Sequence, residues 1–232
     1  MQRLSTEVKI LQSLDNTECI DARLIDHRFP LHCHDTFVIQ LVTAGVDWCC
    51  SNELAARERE LFVHFPFAVH TGGTTDEHPL QYRAIYPGIE LFSRLTGAAR
   101  SEIPFGKTVV FRERRIIRSI ERLFHSLDQP SPRPEIQRAR MQTVLRHVMD
   151  QSCGISKSSD TQSVTSRKRM TNIRQYLMDN SSRDVSTAEL VDVFQLSPYH
   201  LIRTFKQFFG ITPRQFLLSC RVSESKKLIA QG

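Results

Sequence analysis

Leu196-Ser197-Pro198-Tyr199-His200-Leu201-Ile202-Arg203-Thr204-Phe205-Lys206, followed by Gly210-Ile211-Thr212-Pro213-Arg214-Gln215-Phe216, is the stretch whose reading decides the fold. Ser197 stands where a hydroxyl caps a helix, and Pro198 suits the first helical position, where no N–H is needed. At about 100° per residue, Leu201, Phe205 and Phe208 share one side. Tyr199, Arg203, Lys206 and Gln207 fall opposite them, with Ile202 on the shoulder. Gly210 then stands where a helix ends. Upstream, Ser186-Thr187-Ala188-Glu189 is a capping box that opens a shorter helix, expected to bury Leu190, Val193 and Phe194. Two short helices, a tight turn and a basic second helix are what a helix-turn-helix requires.

Such a second helix enters a DNA major groove with the N-terminal part of its outer face toward the bases. On that reading Arg203 takes guanine by a bidentate pair and Ile202 touches a thymine methyl, while Lys206 suits a phosphate. Ser197, Tyr199, His200 and Gln207 complete the expected DNA-binding set. Spacing alone fits equally well the solvated face of an ordinary helical hairpin. Charge tips the balance. Residues 163–232 hold 11 Lys and Arg against 5 Asp and Glu, whereas residues 1–162 hold 20 of each. The whole net charge of +6 therefore sits in the last third, which points to a polyanionic partner for that part alone.

Outward from this segment the pattern changes twice. Residues 151–165 are polar and serine-rich, as in a flexible linker. Before them, Ile116, Ile117, Ile120, Leu123, Phe124 and Leu127 recur at three and four. Ile136, Met141, Val144, Leu145, Val148 and Met149 follow beyond a proline cluster. These read as two amphipathic helices that cover a neighbouring domain or pair with a second copy. From about Thr17 to Pro87 the sequence reads as short strands. Phe37-Val38-Ile39-Gln40-Leu41-Val42, Glu60-Leu61-Phe62-Val63-His64-Phe65 and Gln81-Tyr82-Arg83-Ala84-Ile85-Tyr86 are divided by turn residues, as in a sandwich or barrel. No apolar run approaches the ~18 residues of a membrane span. The six cysteines show no CxxC spacing and the first residues no secretory pattern, so reduced thiols in a cytoplasm are expected.

The quoted C-terminal stretch resembles the AraC/XylS signature L-S-x-x-H-L-x-R-x-F-K and the G-x-T-P-x-x-Y/F that follows it, and Arg221 and Leu228-Ile229 match the next helix. Val191 and Gln195 stand where that family usually has Ala and Gly. Gln195 is strained if its turn position needs a positive φ. The N-terminal region is similar to the family's cupin-like sensor. Phe29-Pro30-Leu31-His32-Cys33-His34-Asp35-Thr36-Phe37-Val38-Ile39 looks like its F-P-x-H-x-H-D-x-Y-x-I opening, and Gly45 follows at the usual turn. Leu61 to Pro66, His70-Thr71-Gly72-Gly73 and Tyr82-Arg83-Ala84-Ile85-Tyr86 resemble its later segments. Family members carry two helix-turn-helix units, and this chain stops at the end of the helix that would join them.

The resemblance implies an α+β chain in two domains. A cupin-like β-barrel sensor spans residues 1–111, and a helical segment for support and dimerisation follows over 112–152. A linker covers 153–166, and an all-α helix-turn-helix segment, incomplete by one unit, covers 167–232. The implied function is effector-responsive, sequence-specific transcription regulation. His32, His34, Trp48, His70 and Tyr82 are the expected effector-binding residues. The histidines either hydrogen-bond at the barrel mouth or touch an organic effector, Trp48 is core or ligand wall, and Cys33 packs on the other side of its strand. Metal cupins usually add a glutamate four or five residues past the His-x-His pair. Val38, Ile39 and Gln40 occupy that stretch here, so no metal, no cofactor and no catalytic residue are expected. The alternative is a metal-dependent cupin enzyme with a helical accessory domain, and a third reading is a partner-binding protein without DNA function. Expected partners are double-stranded DNA, a small organic effector and a second copy of the chain, with RNA polymerase a possible further one and no membrane.

Overall fold

The computed structural model describes residues 4–49, 54–74, 79–99, 102–152 and 164–231. The chain divides into two compact units, Met1–His32 with Thr36–Lys157, and Cys33–Asp35 with Ser158–Gly232. In the first, strands β1 (Leu4–Leu11), β2 (Thr17–Leu24), β4 (Val38–Ala44), β7 (Leu61–His64), β9 (Leu80–Tyr86) and β10 (Thr108–Phe111) form an antiparallel sheet in the order β1-β2-β9-β4-β7-β10. Two ribbons accompany it: β3 (Arg28–His32) with β8 (His70–Gly73), and β5 (Val46–Cys49) with β6 (Leu54–Arg57). Helices α1 (Ile89–Thr96), α2 (Arg114–Leu127) and α3 (Pro134–Ser152) follow.

Strand β4 shows how the sequence builds this unit. It lies in the middle of the sheet and Val38, Ile39, Gln40, Leu41 and Val42 are all buried, so its apolar run serves both faces. Ile39 and Leu41 face the helices. They join Leu61, Val63, Phe65 and Ile85 in one core with Ile116, Ile117, Ile120, Leu123 and Phe124 of α2 and Met141, Val144, Leu145 and Val148 of α3. Val38 and Val42 face the other way, into a second cluster with Ala22, Leu24, Phe62, Tyr82 and Ala84. The register Val38↔His64, Gln40↔Phe62 and Gln40↔Ala84 puts the polar Gln40 and His64 on that second, interior face.

This arrangement corrects one expectation. The apolar stripe of α2 is consumed by the unit's own core: Ile120 and Leu123 are 0% exposed. It offers no surface to a second copy, and the helices belong to the same compact unit as the sheet. Arg83 fastens α2 to the sheet. Its guanidinium donates twice to Asp128 at the end of α2, at 2.8 and 2.9 Å, and lies 4.5 Å over the Phe124 ring. That pairing holds the Asp128 carboxyl below its usual range. Of the linker expected over 153–166, residues 153–163 lie outside the described ones, and its end is already helical, since α4 begins at Val164. Cys50 and Cys153 also lie outside, and the four described cysteines, Cys19, Cys33, Cys49 and Cys220, are free and buried.

The second unit is helical: α4 (Val164–Asp179), α5 (Thr187–Phe194), α6 (Pro198–Phe209) and α7 (Pro213–Gln231). Its core gathers Met170, Ile173, Leu177, Leu190, Leu201, Phe205, Ile211, Phe216 and Leu217. No helix among the described residues is long and apolar enough to cross a membrane.

Candidate DNA interface and sensor interior

Both helices of the helix-turn-helix start as the sequence predicts. The Ser186 hydroxyl accepts from the Glu189 N–H at 3.1 Å, and the Ser197 hydroxyl from the His200 N–H at 3.3 Å. Pro198 sits in the first turn of α6, and Gly210 closes that helix with its N–H on Lys206 O at 2.8 Å. Between α5 and α6, Gln195 takes a left-handed conformation, φ 49°, where the family usually has glycine. A side chain there costs about 1–2 kcal/mol, the strain that the residue's identity foreshadowed.

A hydrogen-bonded cluster fixes α5 in place. Glu189 accepts from the Tyr176 hydroxyl at 2.6 Å and from both guanidinium ends of Arg183, at 3.0 and 2.5 Å. Hydrogen bonds from Arg183, then Tyr176, push the Glu189 carboxyl down to about 2. Arg169 donates to Phe194 O, and Arg221 to Ser181 O and Arg183 O. Several of the arginines behind the basic balance are thus engaged within the fold. Val193 corrects an expectation: it is 50% exposed, because Leu190 and Phe194, one turn apart, take the inner side of α5 and leave Val193 off that face.

The outer face of α6 is uncovered. Leu201 and Phe205 are 0% exposed, while Tyr199 is 72% and Ile202 38% exposed, and Ser197, His200, Arg203, Lys206 and Gln207 are exposed as well. Phe208, expected in the core, is half-buried. Arg203 is steered by Tyr199 one turn earlier: its guanidinium donates to the phenol oxygen at 3.4 Å and stands 5.9 Å over the ring. The sequence reading placed both residues on this face but did not pair them.

In the first unit the expected effector residues separate. Tyr82 is buried on the interior face of β9, its phenol pushed up to about 12 by burial. His32 and His70 come together, paired across β3 and β8 with their rings 4.4 Å apart, while His34 belongs to the second unit. His70 is buried, and loss of solvent, then the neighbouring His32, lowers it to about 4. Trp48 leaves the set. It is 44% exposed, because β5 turns Asp47 and Cys49 inward and Trp48 outward. Sequence reasoning missed Asp47 altogether. Its buried carboxylate accepts from Gln40 Nε2 at 2.5 Å and from the Gly73 N–H at 2.7 Å, and burial raises its pKa. His64 was missed too. It stacks on His70 with centroids 3.9 Å apart and planes at 15°, and its Nδ1 shares a hydrogen bond with Thr108. The period-two alternation of β4 and β7 was the available signal for Gln40 and His64, and Asp47 had none.

A β-unit with polar groups on its interior face, followed by a helix-turn-helix with an open recognition face, defines a sensor joined to a DNA reader. Residues 16–148 match the model of the AraC-like ligand binding domain, and residues 179–218 that of bacterial regulatory helix-turn-helix proteins of the AraC family. The chain belongs to the AraC family of transcription regulators. It is 25% identical over 216 residues to the HTH-type transcriptional regulator YbfI of Bacillus subtilis, covering 90% of this chain and 76% of that protein. It is 36% identical over 59 residues to the bifunctional transcriptional activator/DNA repair enzyme AdaA of the same organism, which covers 25% of this chain and 28% of that one. Among solved structures, ToxT from Vibrio cholerae superposes with a TM-score of 0.57 at 11% identity, over 100% of this chain and 84% of that one. This last likeness is one of fold.

Proposed function

We propose that this effector-responsive regulator reads DNA through Ser197, Tyr199, His200, Ile202, Arg203, Lys206 and Gln207, and that its effector contacts Tyr82, His32 and His70 from the interior of the β-unit. The observation that carries the DNA half is the sorting of α6, with Leu201 and Phe205 fully buried and Tyr199 and Arg203 paired on the uncovered side. Arg203 and Ile202 face the bases and Lys206 a phosphate. The effector half rests on the interior face, where Gln40, His64, His70 and Asp47 stand among Ala22, Ala84, Phe62 and Tyr82. Among the described residues of this interior face none is a Lys or Arg. That suits a neutral, hydrogen-bonding effector better than a carboxylate such as the unsaturated fatty acid found in one ToxT structure.

The chain acts without catalysing a reaction, works in the cytoplasm, self-associates and contacts RNA polymerase. For self-association the free edge of β1 replaces α2. It is an outer strand of the sheet, and Val8 and Ile10 are 54% and 46% exposed on it. The test of the effector half is a thermal-shift screen of small organic molecules, since a ligand that binds only the folded state raises apparent stability by mass action. A stabilising compound whose shift falls in Tyr82→Phe, with the unliganded melting point unchanged, supports the assignment. An undiminished shift in Tyr82→Phe refutes it.

A further inference from the structure

Strand β1 lies at the edge of the six-stranded sheet and pairs with β2 on one side only. Ser5 to Ile10 are all exposed along it. An uncovered edge offers its backbone N–H and C=O groups to any strand that fits, and natural proteins often blunt it with a lysine. Here Lys9 is answered by Glu7, two residues earlier on the same strand. Side chains alternate between the faces of a sheet. Lys9 stands opposite Cys19, which belongs to the helix-side core, so Ser5, Glu7, Lys9 and Leu11 share that face. Thr6, Val8 and Ile10, all β-branched, share the other.

A strand with this pattern is complementary to its own copy. An antiparallel copy related by a two-fold axis at Val8 sets Glu7 against the partner's Lys9 and Lys9 against the partner's Glu7. On the other face it sets Val8 against Val8 and Thr6 against Ile10. Opposite charges and β-branched side chains directly across an antiparallel ladder stabilise it, while like charges there destabilise it. Shifting the axis to Glu7 or to Lys9 brings two carboxylates or two ammonium groups face to face. The charges thus favour one register and penalise its neighbours.

The sheet itself leaves room for this exchange. Across β2, Glu7 meets Asp21, a like charge, and Asp21 is held from its far side by Arg83 at 3.2 Å. Glu7 does meet Lys9 of its own strand at 3.2 Å, but the two side chains are 66% and 47% exposed. An ion pair so exposed contributes little and is readily traded for a crossed one.

Resting on the self-association proposed above, we infer that two copies join through β1 with Val8 on the two-fold axis, each six-stranded sheet continuing into the other across crossed Glu7–Lys9 pairs.

The experiment is sedimentation equilibrium of the full chain at low ionic strength, where exposed charges are least screened. Glu7→Lys turns both crossed pairs into like pairs and should weaken the dimer about tenfold, and Lys9→Glu should do the same. An equimolar mixture of these two variants should associate as tightly as the unaltered chain, and so should the double variant Glu7→Lys/Lys9→Glu. Val8→Cys gives a second readout. Directly opposed residues of an antiparallel pair have Cα atoms about 4.5–5.5 Å apart, within disulfide reach, so mild oxidation should cross-link this variant. Ile10→Cys, about 14 Å from its own copy in this register, should cross-link no more than the unaltered chain. A dimer indifferent to both charge reversals, or one cross-linked through Ile10→Cys rather than Val8→Cys, would overturn this pairing and leave self-association standing. A chain that stays monomeric at the highest concentration reached would overturn both.

Discussion

Gly73→Ala should destabilise the sensor unit by about 2–6 kcal/mol. Gly73 ends β8 with φ at +131°, and a Cβ there would stand 2.1 Å from His27 O and 2.9 Å from Arg28 Cα. His27 O cannot retreat cheaply, since it accepts the Thr74 N–H at 3.0 Å. Relieving the overlap means opening the β3–β8 ribbon, an overpacking cost of about 1–3 kcal/mol. A side chain at this φ adds about 1–3 kcal/mol of backbone strain. The Gly73 N–H would also shift from the Asp47 carboxylate that it now meets at 2.7 Å. For a domain of this size each kcal/mol lowers the midpoint by roughly 2–4 °C, so a fall of about 4–24 °C is expected. Gly97→Ala is the control. Gly97 also has a positive φ, +79°, but a Cβ there meets nothing within 4 Å. Its cost is the conformational one alone, about 1–2 kcal/mol. Scanning calorimetry of the full chain compares the two. A Gly73→Ala midpoint no lower than that of Gly97→Ala would refute the steric argument.

Ile120→Asp, at a fully buried position of α2, should unfold the sensor rather than release a monomer, at a cost above about 3 kcal/mol, visible as loss of its cooperative transition. The retention of a folded unit with altered sedimentation would instead return α2 to the dimer interface. In the helix-turn-helix, Glu189 titrates at about 2 in the fold against 4.5 ordinarily, chiefly through Arg183. Its folded pKa is depressed, so its contribution is complete above about pH 4.5 and fades as pH falls toward about 2. Glu189→Gln should flatten the acid limb of that unit's stability in this window, and an unaltered limb contradicts the assignment. Ser197→Ala removes the cap of α6 and should cost about 0.5–2 kcal/mol of helix-turn-helix stability in denaturant titration.

What could be read from the sequence was what local patterns control. The caps at Ser186 and Ser197, the inner Leu201 and Phe205 and the outer Tyr199 and Arg203 follow from helix geometry and neighbouring residues, and the structure repeats them. The doubly buried β4 was legible as an apolar run. Failures came where a distant partner decides. Polarity predicts Trp48 inside and Asp47 outside, yet β5 does the reverse, because Gln40 and Gly73, 7 and 26 residues away, satisfy the carboxylate. Helix α1 begins just after Pro87-Gly88, which reads as a turn, and its 8 residues are too few to show a period. Strand β1 exposes most of its side chains and gains its place by pairing with β2, so its burial pattern carries no strand signal. The destination of the α2 stripe was undecidable locally, since a core and a dimer interface present the same periodicity.

The account turns on whether the outer face of α6 reads bases. The direct measurement is binding of the full chain to a duplex selected from a randomised pool and to its scrambled counterpart, across a salt series. For Arg203→Ala the account predicts a loss of about 1–3 kcal/mol on the selected duplex and little on the scrambled one. For Lys206→Ala it predicts equal losses on both, with the salt slope reduced by about one. Equal losses on both duplexes for Arg203→Ala would contradict it.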